Sequence, residues 1–124
     1  MPMDLVIEVE NHPGALAGVA KAISDAGVNI AAATCLGNGG TAELHILVPH
    51  VGAAKHALAI TQLAVTRERE VAVVEVDDRP GVLADLAGKV AAAGINLDLV
   101  YVATNNRVVV GAADLDGLRA ALAT

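Results

Sequence analysis

The sequence predicts an α+β chain of two tandem β-α-β-β-α-β units, covering residues 1–68 and 69–124, with the second short of its last strand. Three observations lead there. The segment Val6 to Ile30 aligns without gaps to Val73 to Leu97 at an offset of 67, with 11 of 25 positions identical. Within each copy, alternation of period two gives way to helical spacing and then returns. Finally, the chain ends at Thr124, straight after the second helix of copy two.

The elements follow in order. Leu5, Ile7 and Val9 alternate with Val6, Glu8 and Glu10, the pattern of a half-buried strand; Val74 and Val76 repeat it around Glu75. Asn11-His12-Pro13-Gly14 and Asp78-Arg79-Pro80-Gly81 stop these strands. Pro13 and Pro80 suit a first helical turn, and Asn11 or Asp78 can bond the following backbone as an Asx turn. Leu16, Val19, Ala20 and Ile23, like Leu83, Leu86, Ala87 and Val90, then recur on one helix face. Gly27 and Gly94 end the helices. Second strands are expected over Val28 to Leu36 and Ile95 to Ala103, and third strands over Ala42 to Val48 and Arg107 to Ala112. Between them the Gly37–Gly40 turn becomes the shorter Thr104-Asn105-Asn106, and the repeat offset slips to 65. Second helices fit Val51 to Ala59 and Leu115 to Ala123, and a fourth strand fits Gln62 to Arg67. That strand can stay with its own repeat or hairpin onto the open edge of the second.

With 55% hydrophobic and 18% charged residues the chain folds, but a single aromatic, Tyr101, leaves its core to Val, Leu, Ile and Ala. Such small domains bury little surface each, so pairing into a homodimer is expected. A net charge of -6 and the lack of stacking aromatics argue against nucleic acid. One cysteine, Cys35, excludes an internal disulfide and a thiolate metal cluster. No basic leader or long apolar run is seen, so no membrane partner and a cytoplasmic location are expected.

The two stretches Glu-Asn-His-Pro-Gly-Ala-Leu-Ala…Asp-Ala-Gly-Val-Asn-Ile and Asp-Asp-Arg-Pro-Gly-Val-Leu-Ala…Ala-Ala-Gly-Ile-Asn-Leu resemble the signature of the ACT domain, a ferredoxin-like sandwich with an antiparallel sheet. The resemblance spans nearly the whole chain and implies a regulatory module that binds amino acids or similar small metabolites, with no cofactor. It places the ligand between the first loop and helix start of one domain and the second strand of a neighbour. Here those are Asn11, His12, Pro13, Gly14, Ala15 and Leu16 with Asn29 and Ile30, and Asp78, Arg79, Pro80, Gly81, Val82 and Leu83 with Asn96 and Leu97. Independently of the resemblance, a helix N-terminus attracts a carboxylate, and Asp78 can hold an ammonium that the uncharged Asn11 cannot. The two sites are therefore expected to be unequal.

Each residue also has a structural reading. The Pro-Gly pairs start helices, Asn29 and Asn96 cap turns, and Glu8 and Glu75 face solvent. His45, His50 and His56 lack ligand spacing, so no metal site is expected. Cys35 reads as a small core or interface hydrophobe, outward in phase, and Tyr101 as inward. Val100 and Val102 oppose Leu99 and Tyr101, so both faces of the second sheet are apolar, and the face away from the helices needs a cover. The expected function is a non-enzymatic sensor. A regulatory subunit or interaction module of an amino-acid biosynthetic enzyme is the alternative. An acylphosphatase-like enzyme is the minor one, since its Arg-bearing phosphate loop is missing.

Overall fold

A computed structural model describes residues 2–123, which fall into two compact units, Pro2–Arg69 and the chain from Glu70 onward. The first runs β1 (Met3–Glu10), α1 (Ala15–Asp25), β2 (Ala32–Asn38), β3 (Thr41–Leu47), α2 (Val51–Ile60) and β4 (Val65–Glu70). Its strand order is β4-β1-β3-β2, and β3 pairs antiparallel with both β1 and β2. The fourth strand thus lies beside β1, in its own repeat. The second unit runs β5 (Ala72–Glu75), α3 (Val82–Ala92), β6 (Leu99–Ala103), β7 (Arg107–Gly111) and α4 (Leu115–Leu122), in the order β6-β7-β5. It is a three-stranded antiparallel sheet with two helices, as expected of a copy without its last strand.

Each unit has its own apolar core. Val19, Ala22 and Ile23 of α1 and Ala54 and Leu58 of α2 pack on Leu5, Ile7, Leu44 and Ile46. In the second, Leu86, Val90 and Leu118 pack on Ala72, Val108 and Val110. The helix faces are narrower than the sequence spacing suggests. Leu16 and Leu83, assigned to the core face, are each 51% exposed, and Ala87 is exposed too.

The Pro-Gly pairs do more than start helices. Ala15 N donates to His12 O at 3.3 Å, and Gly14 sits at φ +90°, ψ -11°. Val82 N donates to Arg79 O at 3.4 Å, with Gly81 at φ +86°, ψ -5°. These are type II turns, with proline at the second position and a left-handed glycine at the third. Pro13 and Pro80 therefore precede the helices instead of opening them, and the glycines are the N-caps.

At the other end, Gly27 N donates to Ser24 O and Val28 N to Ile23 O, the paired bonds of a Schellman motif. Gly94 and Ile95 repeat this on Ala91 and Val90. The motif consumes residues the sequence pattern assigns to strands, so β2 starts at Ala32 and β6 at Leu99. α2 ends in the same way, but with Gln62 in the left-handed position at φ 63° and Leu63 N bonded to Leu58 O at 2.8 Å. β4 accordingly begins at Val65, three residues later than the sequence suggests.

Register corrects the repeat offset. Glu8 faces Glu43 as Glu75 faces Arg107, and Cys35 faces Leu44 as Val102 faces Val108. Beyond the hairpin the offset is 64, not 65, so the second repeat's hairpin is shorter by three residues (67 − 64). Register also reassigns faces. Val100 and Val102 oppose Val110 and Val108 on the helix side, yet are 42% and 71% exposed because the helices do not reach over β6. Cys35 shares the phase of core Leu44 but is exposed on β2. Tyr101 opposes Val109 on the face away from the helices, and both are buried.

Among the described residues, one polar side chain lies fully inside. Asp4 is 0% exposed, and its Oδ2 is 2.8 Å from His45 Nδ1. His45 Nε2 is 3.0 Å from Glu43 Oε1, and Arg67 pairs with that same carboxylate. By repeat position, Asp4 corresponds to Val71 and His45 to Val109, both 0% exposed. The second repeat fills the same places with hydrocarbon.

Two outcomes are expected. Gly14→Ala and Gly81→Ala should each lower unfolding stability by about 1–2 kcal/mol through the left-handed backbone alone. Gly18→Ala and Gly88→Ala, in open space within α1 and α3, should raise it by about 0.5–1 kcal/mol. Urea titrations of the four variants check the sign. By the same measurement, His45→Ala should cost about 3 kcal/mol by removing a hydrogen-bond partner of a buried carboxylate, whereas Asp4→Val with His45→Val should lie nearer neutrality. A double variant worse than the single one refutes this account.

Candidate functional site

Both predicted sites are built around the type II turns. Because His12 O and Arg79 O take the first helical N–H, no side chain caps α1 or α3. The amides behind them, on Leu16, Ala17, Leu83 and Ala84, lie in the first helical turn, where the helix dipole favours an anion. Beside them stand the half-exposed side chains of Leu16 and Leu83. A carboxylate with an apolar body suits this combination.

The side chains around the turns differ. Asn11 Nδ2 donates to Gly39 O at 3.0 Å, and Asn11 N donates to Gly40 O at 3.0 Å. The amide thus clasps the β2–β3 hairpin and not the backbone that follows it, contrary to the Asx-turn expectation. Gly37 leaves room for it: a Cβ there would come within 2.8 Å of Asn11 Nδ2. Asp78, at the equivalent position, is exposed and makes no such bond. His12 Nδ1 lies 2.9 Å from Pro13 O, and its Nε2 3.4 Å from Glu10 Oε2. Arg79 instead reaches forward to α3, donating to Asp85 Oδ2 at 2.7 Å and to Pro80 O at 3.2 Å. The hydrogen bond and charge of Asp85 raise the Arg79 guanidinium above its ordinary value.

Within one repeat, the structure brings Asn11 to Leu16 together but leaves Asn29 and Ile30 at the far end of α1. Nine helical residues, those of α1 after Leu16, separate the two groups, roughly 14 Å of rise. Asp78 to Leu83 are likewise separated from Asn96 and Leu97 by α3. Asn29 and Asn96 are exposed, while Ile30 and Leu97 pack against the cores. A site holding all of these residues needs a second domain.

An open cavity of about 660 Å³ lies in the second repeat, between the end of β5, α3 and the β6–β7 turn. Asp85, Lys89, Asn105 and Asn106 contribute to its wall. Of the ligand-binding residues predicted from sequence, only Val82 lines it. Val74, Glu75, Val76, Leu86, Asn105 and Asn106 read from sequence as strand, helix or turn residues, and Asp77, Asp85 and Lys89 carry no motif; the signal for the cavity is the change in hairpin length. Among the described residues, no group of three or more His, Cys, Asp or Glu could hold a metal ion, and no helix is long and apolar enough to cross a membrane.

Two α+β units, each with a Pro-Gly turn leading into a helix without a side-chain cap, define a tandem-domain protein. The family model of the ACT domain matches residues 3–65 and 71–123, and the chain belongs to that family. The fold is similar to the crystal structure of protein BT0572 from Bacteroides thetaiotaomicron, at 27% identity and a TM-score of 0.87, covering 98% of this chain and 85% of that one. It is also similar to the ligand-free regulatory subunit of aspartate kinase from Thermus thermophilus. There the identity is 20% and the TM-score 0.73, over 98% of this chain and 87% of that one. The regulatory subunit of aspartate kinase from Thermus flavus gives 17% and 0.67, over 98% and 90%. No curated protein sequence matches.

The contrast between the turns gives an expected outcome. Asn11→Ala should destabilise the first repeat by about 0.5–1.5 kcal/mol, the range of a lost hydrogen bond. Asp78→Ala should leave the unfolding midpoint in place. Equal shifts in the two variants would contradict the clasp.

Proposed function

We propose that this chain is a regulatory protein that binds an amino acid or a similar small metabolite. The ligand sits on the turn and helix start of one ACT domain, against the second strand of a neighbouring one. In the first repeat the binding residues are Asn11 to Leu16 with Asn29 and Ile30; in the second, Asp78 to Leu83 with Asn96 and Leu97. The observation that carries this reading is the doubled turn, which leaves helix amides uncapped beside an exposed leucine. The amides suit a carboxylate, and Leu16 or Leu83 a short aliphatic side chain. In the second repeat, Asp78 suits an ammonium.

A homodimer accounts for the neighbouring domain and for the exposed Val100 and Val102, which gain a cover. Regulation then follows from population shift, the ligand stabilising one arrangement of domains. The reading is non-catalytic. The one buried Asp–His pair has both ring nitrogens facing carboxylates, so neither is placed to serve a nucleophile. Exposed Val100 and Val102 also favour a second reading, a regulatory subunit seated on a biosynthetic enzyme.

The test is a thermal-unfolding screen against the twenty amino acids at fixed protein concentration, with the wild type and with Leu16→Glu plus Leu83→Glu. A ligand at about 100 times its Kd adds roughly 2.7 kcal/mol, or several degrees of Tm. The expected result is a shift from one amino acid or a related set, lost in the variant. A flat screen on the folded protein overturns the ligand reading and leaves the enzyme-subunit reading, which a pull-down with candidate enzymes then tests.

A further inference from the structure

The tip of the first hairpin holds the chain's one asparagine followed by glycine, Asn38–Gly39. Asn38 ends β2 opposite Thr41, and Gly39 and Gly40 close the turn between them. Gly39 sits at φ +69°, and a Cβ on either glycine would meet nothing within 4 Å. Asn38, Gly39 and Gly40 are all exposed. Among the described residues, the Asn38 side-chain amide makes no hydrogen bond, and Gly39 N finds no acceptor.

These conditions favour attack of the Gly39 nitrogen on the Asn38 side-chain carbonyl. A bond forms between Gly39 N and Asn38 Cγ, closing a cyclic imide. The Cγ–Nδ2 bond breaks, and ammonia leaves with the proton given up by Gly39 N. Water then opens the ring. Opening at Cγ yields aspartate on the original backbone; opening at the main-chain carbonyl yields isoaspartate, which routes the backbone through Cβ and Cγ. The balance is amide plus water to carboxylic acid plus ammonia, with no oxidant or reductant. The other asparagines are followed by His12, Ile30, Leu97, Asn106 and Arg107, whose side chains crowd the attacking nitrogen as glycine does not. The comparable Asp116–Gly117 pair is held off, because it lies in α4 and Gly117 N already donates to Asp114 Oδ1 at 3.0 Å.

We infer that Asn38 is a site of spontaneous deamidation in the folded chain, and that its isoaspartyl product releases Asn11 from the hairpin. The carbonyls of Gly39 and Gly40 accept from Asn11 Nδ2 and Asn11 N, each at 3.0 Å. The extra backbone carbon lies next to Gly39 and displaces its carbonyl, whereas Gly40 is held through Thr41 opposite Glu10. The aspartyl product keeps the backbone and the clasp. The second repeat has no such site, since Asn105 and Asn106 precede Arg107 without a glycine.

The test is incubation of the whole chain at neutral pH, native and in urea, followed by peptide mass and by methylation with a protein isoaspartyl methyltransferase. In the native sample, exchange of amide for acid should localise to Asn38 and run at least about tenfold faster than at any other asparagine. Methylation should be lost in Asn38→Ser. The isoaspartyl fraction, separated by chromatography, should unfold at a lower urea midpoint than the fresh chain, while Asn38→Asp keeps the wild-type midpoint. In Asn11→Ala, which has already lost the clasp, the same modification should lower the midpoint by less. An Asn38 that reacts in urea but not in the native chain, or no faster than the other asparagines, overturns the site. An isoaspartyl fraction with the fresh chain's midpoint, or an equal loss in Asn11→Ala, overturns the release of Asn11.

Discussion

Each repeat depends on a glycine held where other residues pay a steric penalty. Gly14 and Gly81 complete the type II turns that carry the chain from a sheet strand into a helix. Proline fixes the preceding corner, so the direction of the helix is set before any side chain packs. The consequence reaches the core: α1 and α3 arrive over the sheet with Val19 and Ile23, or Leu86 and Val90, pointing down. It reaches the surface as well. Because a backbone carbonyl closes the first helical N–H, no serine or aspartate is needed there, and the following amides stay uncovered. Stability and an anion-receptive helix end come from the same turn.

On that common frame the repeats diverge through the length of one hairpin. The longer hairpin of the first repeat reaches Asn11, binds its amide and closes the core around Val9 and Ala42. The shorter one of the second leaves Asp77 and Asp78 without that partner. A similar exchange occurs inside the sheet, where the Asp4–His45 pair of the first repeat is matched by valines in the second. Polar groups in the first repeat satisfy one another. In the second, the matching interior positions are hydrocarbon.

The sequence discloses features that rest on residues with a single use. Glycine at the helix C-terminus and period-two alternation in β1 each have one local meaning, and the element order and tandem architecture follow from them. Features set by partners stayed hidden. Gln62 takes the left-handed position normally marked by glycine, so the start of β4 was misplaced. Val100 and Val102 have the phase of core residues, but exposure depends on how far the helices extend across the sheet. Leu16 and Leu83 satisfy helical periodicity, yet they belong to the first turn, where the helix has not yet settled onto the strands. The turn half of the candidate site was legible; the cavity was not, since Lys89 reads as an ordinary solvated helix lysine until the hairpin beside it is known to be short.

That dependence explains how two copies with the same turn can differ in chemistry. Side-chain substitutions at the turn itself are confined by the proline and by the positive φ of the glycine. A hairpin tip carries no such constraint, because it lies at the surface and closes a short loop whose length changes cost little. Removing three residues there keeps the inward phase of Val108 and Val110, since register is set by the strands and not by the tip. The same removal uncovers the flank of α3, where exposed positions accept charge freely. Lys89 can stand where the first repeat has the core residue Ala22 because it is exposed there; Gly18, the counterpart of Asp85, already lies in open space. The variable part of this fold is therefore a hairpin that in the first repeat binds Asn11 beside the turn and in the second leaves Asp78 exposed.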